Sequence, residues 1–186
     1  MQKNSDGFTN YANRISKILT LINPHEVVGL LNCIKKTISG NGTVYVLGNG
    51  GSASTASHFV NDLTVIAKRR NVFINAKSLA DNISIITAIA NDENYERIFQ
   101  KQLEGTLCKQ DLVFSISVSG NSANLITAME YAHECGAETA ALTGFNGGKL
   151  RIISKYNCLV PTEEGEYGPT EDIHMSICHF LAINIE

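Results

Sequence analysis

Residues Val44 to Leu63 read VYVLGNGGSASTASHFVNDL: four apolar residues run into a glycine-rich turn, and the turn runs into a segment of helical periodicity. Glycine at positions 48, 50 and 51 lets the backbone take positive φ and come close to an anion. Ser52 and Ser54 add hydroxyl donors, and Asn49 sits between the glycines. A helix that starts at such a turn aims its unpaired N–H groups at whatever lies above the strand, which is a ready anion site. The spacing is not GxGxxG, and no GK[ST] follows a GxxxxG, so neither dinucleotide nor nucleoside-triphosphate chemistry fits. The following strand-like stretch, NVFINAKS, offers Lys77 where a dinucleotide site places an acid. Taken alone, the turn reads as a tight strand-to-helix connection.

Outward from this turn, the chain alternates short apolar strands with helices. Strands are expected at Val44–Leu47, around Val72–Ala76, in DLVFSISVSG, in ETAALTG and in YNCLVPT. Helices are expected at Ser52–Ile66, DNISIITAIAND, NYERIFQKQLEG, ANLITAMEYAHECG (closed by Gly136), GKLRIIS and TEDIHMSICHFLAINIE. Strands separated by helices make βαβ units, hence an α/β fold with a parallel sheet covered on both faces. Ahead of the sheet, Phe8, Tyr11, Ile15, Ile18, Leu19 and Ile22 mark one amphipathic helix, and after Pro24 a second runs from Val27 to Ile38. This pair packs either on its own domain or on another subunit. No linker or repeat interrupts the pattern, so residues 1–186 read as a single domain, with residues 1–40 forming the N-terminal helices.

The second turn, SVSGNSAN, raises the specificity of the first. Ser115, Ser117, Ser119 and Ser122, with Gly120 and Asn121, gather hydroxyls where a helix begins near Asn121. A helix cap explains one serine and not four. Hydroxyls and backbone amides hold a phosphomonoester without Lys or Arg.

Composition narrows the class. The chain of 186 residues is 44% hydrophobic and 18% charged, with a net charge of −3 and a pI near 6.0. There is no basic footprint, which argues against a nucleic-acid partner. No apolar run reaches the length of a membrane span, and MQKNSDGFTN lacks a signal-peptide core, so a cytoplasmic protein is expected. Five scattered cysteines with no CxxC pair read as reduced thiols rather than as disulfides or a cysteine zinc site.

Candidate acid–base groups lie behind the turns. His58 and Asp62, four apart on a helix, share a face about 40° wide and converge on one point. Glu171, Asp172, His174 and His179 come from the last helix. Glu171 and His179 are separated by roughly 12 Å along a straight helix, and His174 points about 140° away from His179. Two imidazoles and two carboxylates are also a reasonable zinc donor set. His25 and His133 read as satisfied core or surface residues, and Lys68-Arg69-Arg70 as a solvated turn.

GNGGSASTASHF, SVSGNSANLITAM, LTGFNGGKL and TEDIHMSICH together resemble the sugar-isomerase (SIS) domain family in its phosphoheptose isomerase branch. The resemblance implies a three-layer αβα sandwich with a five-stranded parallel sheet and an N-terminal helical pair. It implies a homotetramer with active sites between subunits, and helices of residues 1–40 that pack on neighbouring subunits as well as on their own domain. It implies isomerisation of sedoheptulose 7-phosphate to a heptose 7-phosphate for surface polysaccharide precursors. Carried onto this chain, Asp62 is the base and His179 the acid. Zn²⁺ falls to His58, Asp62, Glu171 and His179. Substrate contacts fall to Asn49, Gly50, Gly51, Ser52, Asp92, Ser117, Ser119, Asn121, Ser122 and Glu171. Three departures stand out: Asp62 where the family has Glu, Glu171 where it has Gln, and Val118 where it has Thr. The first two leave either Asp62 or Glu171 as the base. The arginine of the family falls on Ile66. The competing reading is a non-catalytic binding protein resembling the DnaA initiator-associating protein, which carries asparagine where His179 stands. A sugar-phosphate-sensing regulatory domain ranks last, because such domains usually accompany a DNA-binding module.

Overall fold

Strands β1 (Thr43–Gly48) and β3 (Leu112–Ser117) are buried at every position, as continuous apolar runs covered on both faces must be. The computed structural model describes residues 2–185, with side chains from Asp6 to Ile185. Between β1 and β3 lie β2 (Asn75–Ser78), helix α4 (Ile83–Asp92), a 3₁₀ turn (Tyr95–Arg97) and the one-turn helix α5 (Gln100–Leu103). After β3 come α6 (Ala123–Glu134), β4 (Glu138–Thr143), α7 (Gly148–Ile153), β5 (Tyr156–Leu159) and α8 (Tyr167–Ile183). The strands form one parallel sheet in the order β2-β1-β3-β4-β5.

That order reverses direction beside β1. The chain leaves β1 for β2 on one side, then returns to β3 on the other, so a crevice opens above the carboxyl ends of β1 and β3. Both turns singled out in the sequence lie there.

One face of the sheet presents Val44, Val46, Leu112, Phe114, Ile116, Ala140 and Leu142 to Ile18, Leu30 and Ile34 of α1 (Gln2–Leu19) and α2 (Pro24–Ser39), and to α3 (Gly51–Arg70) and α8. Phe59 of α3 meets Phe114 with ring centroids 5.7 Å apart. The other face presents Tyr45, Leu47, Val113 and Ala141 to α5, α6 and α7. The result is the expected three-layer sandwich. Among the described residues, no helix is long and apolar enough to cross a membrane, and all five cysteines are free thiols.

Several boundaries differ from expectation. The second strand begins at Asn75, because Val72 and Phe73 belong to the connection that follows the left-handed Asn71 closing α3. NYERIFQKQLEG breaks into a 3₁₀ turn and one turn of helix. Ile98, Phe99 and Leu103 bury on α6 from that irregular path, so tertiary packing overrides local periodicity. Lys68-Arg69-Arg70, expected as a solvated turn, forms the exposed last turn of α3. The Arg70 guanidinium donates to the carbonyls of Ile183 and Ile185 at 2.7 Å each. The last helix starts at Tyr167, three residues before Thr170, its expected start.

Helix α1 is tied to the start of α8 by polar contacts. Arg14 grips Glu166 with two hydrogen bonds (Nε at 2.8 Å, Nη2 at 2.5 Å), and Tyr11 donates to Asp172 at 2.6 Å. The Arg14 guanidinium, with the Glu163 backbone N–H, holds the Glu166 carboxyl down at about 2, while its bond to Asp172 pushes the Tyr11 phenol up to about 12.

His174 is fully buried on α8, and its ring nitrogens have no hydrogen-bond partner. Burial lowers its pKa from 6.5 to about 4. Because the folded value lies below the unfolded one, the unfolded chain takes up the proton first as pH falls. Stability from this group is therefore complete above about pH 6.5 and is lost progressively down to about pH 4. Urea midpoints measured across that window should fall, and His174→Leu should flatten that part of the slope.

Candidate active site

Strand β1 ends in Asn49-Gly50-Gly51, and Gly50 holds φ at +54°, the left-handed region that favours glycine. Helix α3 then begins with no side chain capping it. Strand β3 ends in a turn in which Gly120 has φ +66°, and α6 begins at Ser122 with no side-chain cap either. Two helix N-termini therefore reach the same crevice with first-turn N–H groups that no side chain satisfies. They border a cavity of about 250 Å³ lined by Asn49, Ser52, Ser117, Ser119, Ser122, Val118, Tyr167 and Glu171, among others. Six of these residues were expected from the sequence.

The hydroxyls are arranged as donors. Ser117 Oγ accepts from the Gly120 N–H at 3.1 Å and Ser119 Oγ from the Asn121 N–H at 3.3 Å, which frees each O–H to point elsewhere. Ser115 differs from expectation: its Oγ is sealed inside β3 without a partner. Ser54 is exposed on α3 and is not among the residues lining the cavity. Asn121 turns the other way. Its Oδ1 accepts from the Lys149 N–H at 3.0 Å, and it lines a neighbouring cavity with Ser119, Phe145 and Tyr167.

Glu171 enters from α8 and lies over the first residue of α3. A Cβ built on Gly51 would sit 2.6 Å from Glu171 Cδ. Gly51 is thus small because a carboxylate occupies the space, and that carboxylate rests at the positive end of α3.

The acid–base candidates gather further along the same two helices. His58 Nε2 is 3.4 Å from Asp62 Oδ2, His179 Nε2 is 3.6 Å from the same oxygen, and the two imidazole nitrogens are 3.3 Å apart. One ligand atom from each lies within 4.8 Å of the others. Both rings are about half exposed (49% and 47%) and the carboxylate less so (24%), so the trio opens to solvent. Asp62 and His179 also line a cavity of about 320 Å³ with the exposed Arg69.

Glu171, expected as a fourth ligand, lies outside this trio within one chain. It faces the serine turn instead, roughly 12 Å back along α8. Asp92 is exposed at the end of α4, accepts from the Asn91 amide at 2.9 Å, and lines neither cavity. Missed by the sequence reading were Tyr167, Asn124 and Tyr95, since an aromatic in a loop and an asparagine inside a helix carry no chemical signature before the fold places them. Zinc accepts imidazole nitrogen and carboxylate oxygen as well as thiolate sulfur, and catalytic sites use three protein ligands. Two imidazoles and a carboxylate this close fit that donor set.

A family model described as the SIS domain matches residues 8–144. The phosphoheptose isomerase of Helicobacter pylori (strain Shi470) is 38% identical over 151 residues, covering 81% of this chain and 78% of that protein. The phosphoheptose isomerase of Aquifex aeolicus is 34% identical over 161 residues, covering 87% and 83%. The solved phosphoheptose isomerase of Neisseria gonorrhoeae superimposes with a TM-score of 0.87 at 28% identity, over 99% of this chain and 97% of that one. The chain belongs to the SIS domain family, in its phosphoheptose isomerase branch.

Gly51→Ala should push the Glu171 carboxylate off the α3 terminus while leaving the helix folded. Isomerase activity should then fall about as far as in Glu171→Ala, and the double variant should be no worse than either single one. Steady-state rates of the three variants, with circular dichroism as the fold control, check this.

Proposed function

We propose that this chain isomerises sedoheptulose 7-phosphate and a heptose 7-phosphate through an enediol, supplying precursors for surface polysaccharide such as lipopolysaccharide. The observation that carries the reading is the joint geometry of α3 and α8. Their uncapped or carboxylate-covered starts face the serine turn, and the Asp62–His179 pair lies further along both. The phosphate is bound by Ser52, Ser117, Ser119 and Ser122 hydroxyls with the free N–H groups of α3 and α6, and the open backbone of Gly50 leaves room for it, with Gly51 beside it under the Glu171 carboxylate. Asn49 flanks this group, and Asn121 borders the adjoining cavity.

At the other end of the sugar, the carboxylate of Asp62 takes the proton from C1 of the ketose. Electrons move into the C1–C2 bond as the C2 oxygen receives a proton from His179. Return of the proton to C2, with loss of the O1 proton to the imidazole, gives the aldose and restores both groups. Glu171, nearer the anion, is the alternative base. His58, Asp62 and His179 would hold Zn²⁺, with Glu171 as a further ligand if the site is shared between chains. A bound zinc ion supplies Lewis-acid polarisation of the substrate oxygens. The two uses of Asp62 and His179 draw on the same lone pairs. Metal analysis of the purified protein, compared with His58→Ala, separates them.

A homotetramer is supported by apolar surface left uncovered in one chain. Helix α4 buries none of its residues, and Ile83 (73% exposed), Phe8 (74%), Leu19, Val28 and Phe180 all face outward. Asp92, at the end of α4, reaches a site only if that helix meets another copy. The cytoplasm is the compartment proposed, as for an enzyme of soluble sugar phosphates. The non-catalytic binding reading is not favoured: His179 is present and paired, and the relatives named above are isomerases.

Wild-type protein in deuterium oxide should incorporate solvent deuterium into sedoheptulose 7-phosphate and its product, read by mass spectrometry. Asp62→Asn and His179→Gln should each lower turnover by about 10²-fold or more, the usual worth of a general acid or base. Absence of turnover with every ketose 7-phosphate offered would overturn the reading.

A further inference from the structure

Asn49 does not stand alone in the anion cavity. Its side-chain amide is paired in both directions with that of Asn124: Asn49 Nδ2 donates to Asn124 Oδ1 at 2.9 Å, and Asn124 Nδ2 donates back to Asn49 Oδ1 at 2.9 Å. Tyr95 adds a third bond, its hydroxyl donating to the same Asn49 Oδ1 at 3.1 Å. Asn124 is 2% exposed, in the first turn of α6, whereas Tyr95 is 55% exposed in the 3₁₀ turn.

A side-chain amide has two acceptor lone pairs and two N–H donors. Here Asn124 and Tyr95 occupy both lone pairs of Asn49 and one of its donors. The one capacity left is a single N–H, on a residue that lines the cavity with Ser52, Ser117, Ser119 and Ser122. The clamp therefore removes every acceptor that Asn49 could show to a ligand and leaves a donor. An oxyanion accepts and does not donate, so the arrangement discriminates for a phosphate oxygen. The same pair ties the β1 turn to the first turn of α6, and so fixes the distance between the two helix ends that hold the anion.

We propose that Asn124 and Tyr95 are positioning residues for anion binding: by closing on Asn49 they lock the two phosphate turns together and present its remaining N–H to the phosphate. This rests on the anion reading of the serine turn given above. Neither residue touches the reacting carbons, so their effect falls on binding rather than on the chemical step.

The test measures inhibition of the wild-type enzyme by inorganic phosphate, then repeats it in Tyr95→Phe, Asn124→Leu, Asn49→Ala and the Tyr95→Phe/Asn49→Ala double variant. Tyr95→Phe removes one exposed hydroxyl, so it folds even if the buried Asn124→Leu does not. The expected result is a phosphate inhibition constant and a KM raised about 5- to 12-fold in Tyr95→Phe. That is the range for loss of one hydrogen bond to a binding group, about 1–1.5 kcal/mol. Turnover number and Tm should stay near wild type, and the double variant should be no weaker than Asn49→Ala alone. A purely structural role would lower Tm and add to Asn49→Ala. Unchanged phosphate inhibition in Tyr95→Phe, or full additivity with Asn49→Ala, overturns the proposal. If wild-type protein itself shows no inhibition by phosphate, the anion reading fails first and takes this one with it.

Discussion

The parallel packing of α3 on α8 is the contact on which the site depends. Both helices run in the same direction from the crevice, so residues at matching heights meet: Glu171 with Gly51 at the near end, His179 with His58 and Asp62 about 12 Å further on. Neither helix carries a working centre by itself. The sheet below sets their spacing, because Phe59 on α3 and Ile173, Ile177 and Leu181 on α8 all bury in the same apolar layer. A change of register in that layer would separate the imidazoles before it exposed a single core residue.

The cavity proposed to take the phosphate is unusual in what it lacks. No lysine or arginine is among the residues lining it, and it includes a carboxylate. Attraction must come from hydroxyls and two helix starts, each worth about 0.3–1 kcal/mol and up to about 2 when partly buried. Several modest donors in fixed geometry suit a catalyst that must release a product with the same phosphate. A single buried cation would hold substrate and product alike. Glu171 sharpens this balance, since its charge opposes the anion unless a proton or a cation intervenes.

Much of this was legible in the chain before folding. The two glycine–serine turns, the alternation of strands and helices, and the four-residue spacing of His58 and Asp62 are local patterns, and the fold respected them. What escaped has a common physical cause. The second strand was placed too early because Val72 and Phe73 are strand formers that the αL residue Asn71 swings into a connection. The irregular path of residues 95–103 is set by burial of Phe99 and Leu103 against α6, a contact between segments distant in sequence. The helix rise already separates Glu171 from His179 by roughly 12 Å in the sequence, and within one chain they lie at opposite ends of the site. Asn124 and Tyr95 became visible only once the sheet had brought residues 49, 95 and 124 together.

The hydrogen bonds from Arg70 to the carbonyls of Ile183 and Ile185 bear on how the centre can move. Glu171 only lies against Gly51 at one extremity, whereas Arg70 is fastened across the other, so α3 and α8 resemble the two rails of a ladder with a rung at one end. Splaying them apart at the Arg70 extremity breaks those two hydrogen bonds. Breathing that admits a sugar is therefore easiest at the opposite end, beside the loops that border the cavity.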